Sequence, residues 1–374
     1  MTDSFRINCY SALLSLSVIA ALLAAFQSSA SVLLVVLGCS VAAFVLAQPF
    51  LSKRGPDLRN AVILYFSLLG ILCVFSVARG DGIPGVAILF AFTYSVLSGY
   101  LLSRCPVNVF YFRIAFYIDA LLLIYKCFVL NTPPEELFGL GSGNMASAII
   151  LALVSLLQFL EYREKHRISI LPPIIAVALS VYGLGRAGML CSLALLLFVV
   201  YVSVRSIGNR GTRMVVTVIL VLLVSFAIYK TVDLIVESDI YVKFGQKGFS
   251  TDGRDRMWDL YFRNLDLPSF ILGVSPKEVG LDVFSNNNWH NSYFRIHSQL
   301  GVVSFAFLLL MLKRLFFLFR HNFLYFVLFS ILLLRGMTDS TYFFEFRDVV
   351  IYLFLFSDQE NLRDNNNRKI ISFL

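Results

Sequence analysis

Twelve long apolar windows constrain this chain more than anything else in it. They lie near 10–26, 31–50, 61–78, 83–102, 108–130, 143–160, 168–184, 187–204, 214–232, 299–312, 322–338 and 342–357. A helix needs about 20 residues to cross roughly 30 Å of hydrocarbon, and most of these windows approach that length. Backbone groups facing lipid find no water, so a spanning segment must satisfy its hydrogen bonds internally. The windows are therefore predicted to be helical despite their Val, Ile and Phe content. A β-barrel would alternate apolar and polar residues, and these runs do not. Composition agrees: 58% of residues are hydrophobic and 14% charged, against roughly 45–50% and about 25% in a soluble domain. The expected fold is an all-α polytopic integral membrane protein of about 12 transmembrane helices. Nine fall within 1–230, one large loop spans 231–298, and three helices and a tail fill 299–374.

The short loops give the chain a direction. With the N-terminus inside, the inner connections collect eighteen Lys and Arg residues, among them Arg6, Arg104, Arg163, Arg205, Lys313 and Arg368. The short outer ones hold Arg79, Arg186, Arg335 and Arg347. Cytoplasmic loops carry that excess in membrane proteins, so the net charge of +8 is mostly a topology signal and not a nucleic-acid footprint. Arg6 and the first apolar run lack a small-residue cleavage site, so a retained first helix is expected. The six cysteines (Cys9, Cys39, Cys73, Cys105, Cys127, Cys191) avoid the long loop, which supports neither a disulfide framework nor a zinc site.

That loop lies outside and is the one long polar segment. Met257, Trp258, Tyr261, Phe262 and Leu265 mark one face of a short amphipathic helix, capped near Thr251 or Asp252 and ended by Pro268. Such a helix suits the membrane surface, with Trp258 at headgroup level.

Several outer residues have the chemistry for a site. Gly183-Leu184-Gly185-Arg186-Ala187-Gly188 is a Gly-rich turn with an arginine at its tip. Small residues permit close backbone approach and a guanidinium holds phosphate oxygens bidentately; snorkelling to headgroups is the plain alternative. Asp252-Gly253-Arg254-Asp255-Arg256 offers two more arginines, whose ordinary fate is pairing with the flanking acids on a solvated surface. His290-Asn291-Ser292-Tyr293 precedes a membrane-entering helix, and histidine is the side chain suited to proton transfer near neutrality. A lone exposed histidine is more often inert. Arg335 and Asp339 are four apart and free to pair. Asp119 and Lys126, seven apart in the fifth window, share a helical face, and intramembrane charges usually pair or function. His166 and His321 sit in inner basic loops.

Taken together, Arg186, the Gly253-Arg254…Trp258 element, Leu272-Gly273, and His290-Asn291-Ser292-Tyr293 before Leu300-Gly301 resemble the O-antigen ligase and O-antigen polymerase superfamily of bacterial envelope polysaccharide synthesis, over roughly residues 140 to 345. Gly185 stands where that family's turn carries serine, Ala187 where it carries glycine, and its frequent Gly-x-Gly reads Gly273-Val274-Ser275. The resemblance implies a GT-C-like fold in the bacterial inner (cytoplasmic) membrane, with both termini cytoplasmic and the active site and large loop facing the periplasm. The activity implied is an inverting glycosyltransferase that needs no metal or other cofactor. Its donor is a glycan on undecaprenyl diphosphate; its acceptor is a second such glycan (polymerase) or the lipid A core (ligase), with a chain-length regulator protein as a further partner. On that basis Arg186 and Arg254 hold the diphosphate, His290 deprotonates or positions the acceptor hydroxyl, and Asn291 orients it. Arg256, Trp258, Tyr293, Arg335 and Asp339 are expected substrate contacts.

The short chain and compact outer loop favour polymerase over ligase. The competing class is a transporter, such as a lipid-linked glycan flippase. Transporters often show two related halves with broken helices near the midplane, whereas here the polar residues gather at one face.

Overall fold

The computed structural model describes residues 2–27, 30–51, 55–134, 136–138, 144–183, 185–216, 218, 254–281, 289–339 and 342–357. Among these the chain is helical, without strands. In order come α1 (Asp3–Gln27), α2 (Ala30–Leu51), α3 (Gly55–Ala78), α4 (Val86–Arg104), α5 (Val109–Ile124), α6 (Asn144–Lys165), α7 (Leu171–Tyr182), α8 (Arg186–Arg205), α9 (Arg254–Arg263), α10 (Leu267–Leu272), α11 (Ser292–Leu300), α12 (Val303–His321), α13 (Phe323–Gly336) and α14 (Val349–Phe356). Among the described residues, six helices are long and apolar enough to cross a membrane: Asp3–Phe26, Ser31–Leu51, Leu58–Ala78, Val86–Arg104, Asn144–Lys165 and Arg186–Arg205. Their outward faces carry Leu34, Val45, Phe66, Val74 and Leu197, all exposed. The chain is an all-α, membrane-embedded protein. Most of the ninth apolar window, 214–232, all of 231–253 including the cap candidates Thr251 and Asp252, the Asn286 to Asn288 turn and the tail from 358 lie outside the described residues.

α6 is the axis. It buries 83% of its apolar window, against 22% for the windows in α2, α3 and α8. Helices α5, α7, α8, α13 and α14 all pack on it. With 22 residues it is about 33 Å long at 1.5 Å per residue, and polar contacts gather at its two ends. At the Lys165 end, Arg163 donates to the Cys105 carbonyl at 3.1 Å, and Asn108 Nδ2 donates to Asn8 Oδ1 at 2.8 Å. In α12, Arg314 closes the C-terminus of α14, donating to the Phe354 and Ser357 carbonyls at 2.7 Å each. Those carbonyls have no partner within the helix, and an arginine is well placed to take them. The Asn144 end carries the candidate site.

Two expectations fail for local reasons. The window 342–357 is helical only from Val349, because the Asp348 carboxylate accepts the Phe343 and Glu345 amides, both at 2.9 Å, and caps a short 3₁₀ turn instead. Phe343 and Phe344 accordingly sit at φ 66° and 69°. Asp119 and Lys126 do not pair. A π-helical turn over Tyr125–Val129 ends α5 and breaks the seven-residue register, and Lys126 lies 4.0 Å above the Phe26 ring. The Asp119 carboxylate is buried with no hydrogen-bond partner among the described residues.

The amphipathic helix forms over Arg254–Arg263, but its apolar face is spent on protein. Tyr261, Val274, Leu281 and Trp289 make a small second core, flanked by Met257, Leu260, Leu265 and Phe294. Tyr261 stacks on Phe294 at 4.4 Å and meets Trp289 edge-on at 5.0 Å, contacts worth ~0.5–1.5 kcal/mol each beyond area burial. Trp258 meets Phe294 edge-on at 5.7 Å. The exposed apolar residues of this segment are Phe262 and, in α10, Leu267, Phe270 and Ile271.

The two Leu-Gly elements singled out in the sequence interlock. Gly273 and Gly301 have φ of +94° and +49°, and the Val302 amide donates to the Ile271 carbonyl at 3.0 Å. A Cβ on Gly301 would lie 1.9 Å from the Ile271 oxygen, and one on Gly273 would lie 2.4 Å from the His297 oxygen. Backbone packs directly on backbone here, which only glycine permits. Gly301→Ala is therefore expected to cost more than the ~1–3 kcal/mol of a non-glycine residue in strained backbone, seen as a lower unfolding midpoint or loss of folded protein in detergent. A wild-type melting curve for this variant would contradict the packing described.

Candidate functional site

The site grows from the Asn144 end of α6. Asn144 and Ser147, one turn apart, face the start of α8. A Cβ on Gly188 would lie 2.3 Å from Ser147 Oγ, and one on Gly185 would lie 2.3 Å from Asn144 Oδ1. The Gly-rich turn thus brings the first turn of α8, which Arg186 opens, against α6. Arg335 completes this layer from the end of α13. Its side chain is buried, donating from Nη2 to the Asn144 carbonyl at 3.1 Å and to Ser147 Oγ at 3.4 Å, and from Nη1 to Thr338 Oγ1 at 2.9 Å. Its Nε–H has no hydrogen-bond partner among the described residues. A buried guanidinium is costly unless charge and hydrogen bonds compensate it, and one compensation is Asp339, at 3.7 Å from Nη2.

Asp339 also reaches His290: its Oδ1 lies 3.4 Å from Nδ1. The two carboxylate oxygens therefore face two different cations or donors. His290 sits at φ 49°, a region that histidine enters more readily than most residues. That kink is fixed on both sides. Trp289 is buried in the second core, and Asn291 is the N-cap of α11, its Oδ1 accepting the Tyr293 and Phe294 amides at 2.8 and 3.3 Å. Ser292 ties the same turn to residues beyond α13, donating to the Asp339 carbonyl at 2.7 Å and accepting the Tyr342 amide at 3.1 Å. The imidazole keeps about a quarter of its surface exposed. A carboxylate facing Nδ1 favours the tautomer with the proton there, leaving the lone pair on Nε2.

Six residues marked in the sequence thus meet at one end of the bundle: Arg186, His290, Asn291, Tyr293, Arg335 and Asp339. Asn291 Oδ1 is occupied by the helix cap, which fixes the backbone beside His290. Tyr293 donates its hydroxyl to the Leu333 carbonyl at 2.9 Å and packs α11 on α13. Trp258 meets the Phe294 ring edge-on. Arg256 is exposed on α9; Arg254 opens that helix, and its side chain, like Asp252 and Gly253, lies outside the described residues.

The structure adds residues that the motifs did not mark. Asn144, Ser147 and Thr338 hold Arg335; the only sequence trace of the first two is a polar pair three apart in an apolar helix. His297 is buried, accepting from the Tyr261 hydroxyl at Nδ1 and donating from Nε2 to the Phe270 carbonyl at 3.1 Å. Burial holds its pKa below the usual histidine value, with Arg79 adding to the effect, so it is a neutral strut between α9, α10 and α11. Arg79 anchors the α3–α4 turn to the same segment, donating to Asp81 at 2.9 Å and to the Leu272 carbonyl at 2.5 Å, while Ser275 donates to Asp81 at 2.5 Å.

Set against known proteins, the chain matches no family model and no curated protein.

Proposed function

We propose that this chain is a membrane glycosyltransferase that joins glycan units carried on a lipid diphosphate, acting on the periplasmic face of a bacterial inner membrane. The observation that carries the reading is the chain of contacts His290, Asp339, Arg335: a quarter-exposed base, an orienting carboxylate and a buried guanidinium whose Nε–H has no hydrogen-bond partner among the described residues, beside the arginine-bearing start of α8. Proton acceptor and phosphate-holding cation side by side are what transfer from a glycosyl diphosphate requires. The acceptor hydroxyl gives its proton to His290 Nε2 as its oxygen bonds to the donor's anomeric carbon. The bond from that carbon to the phosphate oxygen breaks, the lipid diphosphate leaves with the electron pair, and the configuration inverts. Asp339 holds the imidazole in the accepting tautomer and stabilises the imidazolium that forms. Arg186 and Arg335, with Arg254 of α9, offset charge growing on the leaving group, a role that asks for no metal. The remaining features of this reading are about twelve spans and a GT-C-like arrangement with cytoplasmic termini. The acceptor is another lipid-diphosphate glycan, making the chain a polymerase.

The surface lipopolysaccharide ladder of a strain lacking this gene tests the reading. A polymerase predicts core carrying a single repeat. Bare core with polymer left on the carrier lipid would make the chain a ligase. Glycan-lipid trapped on the cytoplasmic side would replace the enzyme with a flippase.

A further inference from the structure

A second chamber opens on the opposite face of α6 from Ser147. It has a volume of about 340 Å³, lies between α1, α4, α6 and α14, and is walled by small and branched apolar side chains such as Ala91, Ala152, Ile149, Leu156 and Val350. The mouth is charged: Arg295, Glu345 and Arg347 border it. Glu345 takes Arg295 Nη1 at 2.6 Å and faces Arg347 Nη2 at 3.6 Å, so three charges leave a net of +1. The Arg347 side chain is 9% exposed, and its Nε–H is buried with no hydrogen-bond partner among the described residues. A buried donor left unmade costs ~1–3 kcal/mol or more when charged, and an acceptor at this mouth would remove that cost. None of these side chains takes part in the His290, Asp339, Arg335 network.

We propose that this chamber binds a single-chain amphiphile with an anionic phosphate head, its chain between α4 and α6 and its head on Arg347. An apolar room with two arginines and a single carboxylate at its entrance matches that chemistry. A neutral lipid leaves Arg347 unsatisfied, and free phosphate leaves the room unfilled. At about 30 Å³ per chain atom, the size of a water in the liquid, the volume takes roughly ten or eleven carbons of one chain and excludes a paired-chain lipid from entering whole. The assignment stands apart from the glycosyl-transfer reading, and its test reads occupancy, not activity.

The probe is decyl phosphate bearing a diazirine at the chain end, irradiated with the full-length protein in lipid nanodiscs and mapped by peptide mass spectrometry. Label is expected on peptides containing Ala152 to Leu156 and Val349 to Val350. It should fall about ten-fold in Arg347→Gln, about ten-fold with the matching uncharged decanol probe, and under excess unlabelled decyl phosphate. Ala152→Phe should displace it by filling the room; if that variant does not fold, Arg347→Gln decides alone. Label confined to lipid-facing residues such as Val45 and Leu197, equal labelling by the alcohol, or full labelling of Arg347→Gln would overturn the assignment.

Discussion

Replacing His290 with alanine is expected to slow glycan joining by about 10²–10⁴-fold, the usual worth of a general base, with little change in folding. The residue keeps about a quarter of its side-chain surface exposed and closes no core. Its backbone kink is held by Trp289 and the Asn291 cap, neither of which depends on the imidazole. Because the loss lies in proton transfer, kcat should fall while KM for the glycan-lipid stays near wild type. His290→Ala at full activity would remove the base from the account. Asp339→Asn is expected to lose less, since it keeps the shape while weakening control of the tautomer.

The second large effect belongs to Arg335. Arg335→Ala leaves Asp339, 4% exposed, without its cation and takes hydrogen bonds from Asn144, Ser147 and Thr338. Breaking one side of a buried pair costs about 3–5 kcal/mol, so the unfolding midpoint of the detergent-solubilised protein should drop sharply. Arg335→Lys should recover only part of this, because an ammonium cannot reach the Asn144 carbonyl and Thr338 in one plane. Removing both charges, as Arg335→Met with Asp339→Leu, should restore most of the stability and none of the activity. A stable and active Arg335→Ala would contradict both of its roles.

The helices were legible because lipid leaves the backbone little choice. A run such as Asn144–Lys165 can only be a helix, and its burial then follows from the small and apolar residues on every face. Where charge or glycine intervenes, the period misleads. Asp348 draws the preceding amides into a cap, so half of an apolar window becomes a loop. The π turn at Tyr125–Val129 puts Lys126 on Phe26 and leaves Asp119 without a hydrogen-bond partner among the described residues, which no count of residues reveals. At the site, Arg186 stood out because it runs against the Lys and Arg bias of the loops, His290 because its side chain suits proton transfer, and Arg335 and Asp339 because they are four apart. Asn144, Ser147 and Ser292 did not, since small polar residues in apolar helices are ordinary; only the bends of the chain bring them to Arg335 and the His290 turn. An amphipathic face shows that something apolar covers it but not what: Tyr261 on that face of α9 packs on Trp289 and Phe294.

The most direct measurement is glycan transfer by the purified chain in vesicles supplied with an undecaprenyl-diphosphate-linked glycan and a chelator, following longer glycan and released lipid diphosphate together. The account predicts both products in equal molar amounts from wild type, undiminished by the chelator, and near-background product from His290→Ala and Arg186→Ala. Transfer that stops with the chelator, or that continues unchanged in His290→Ala, would contradict it.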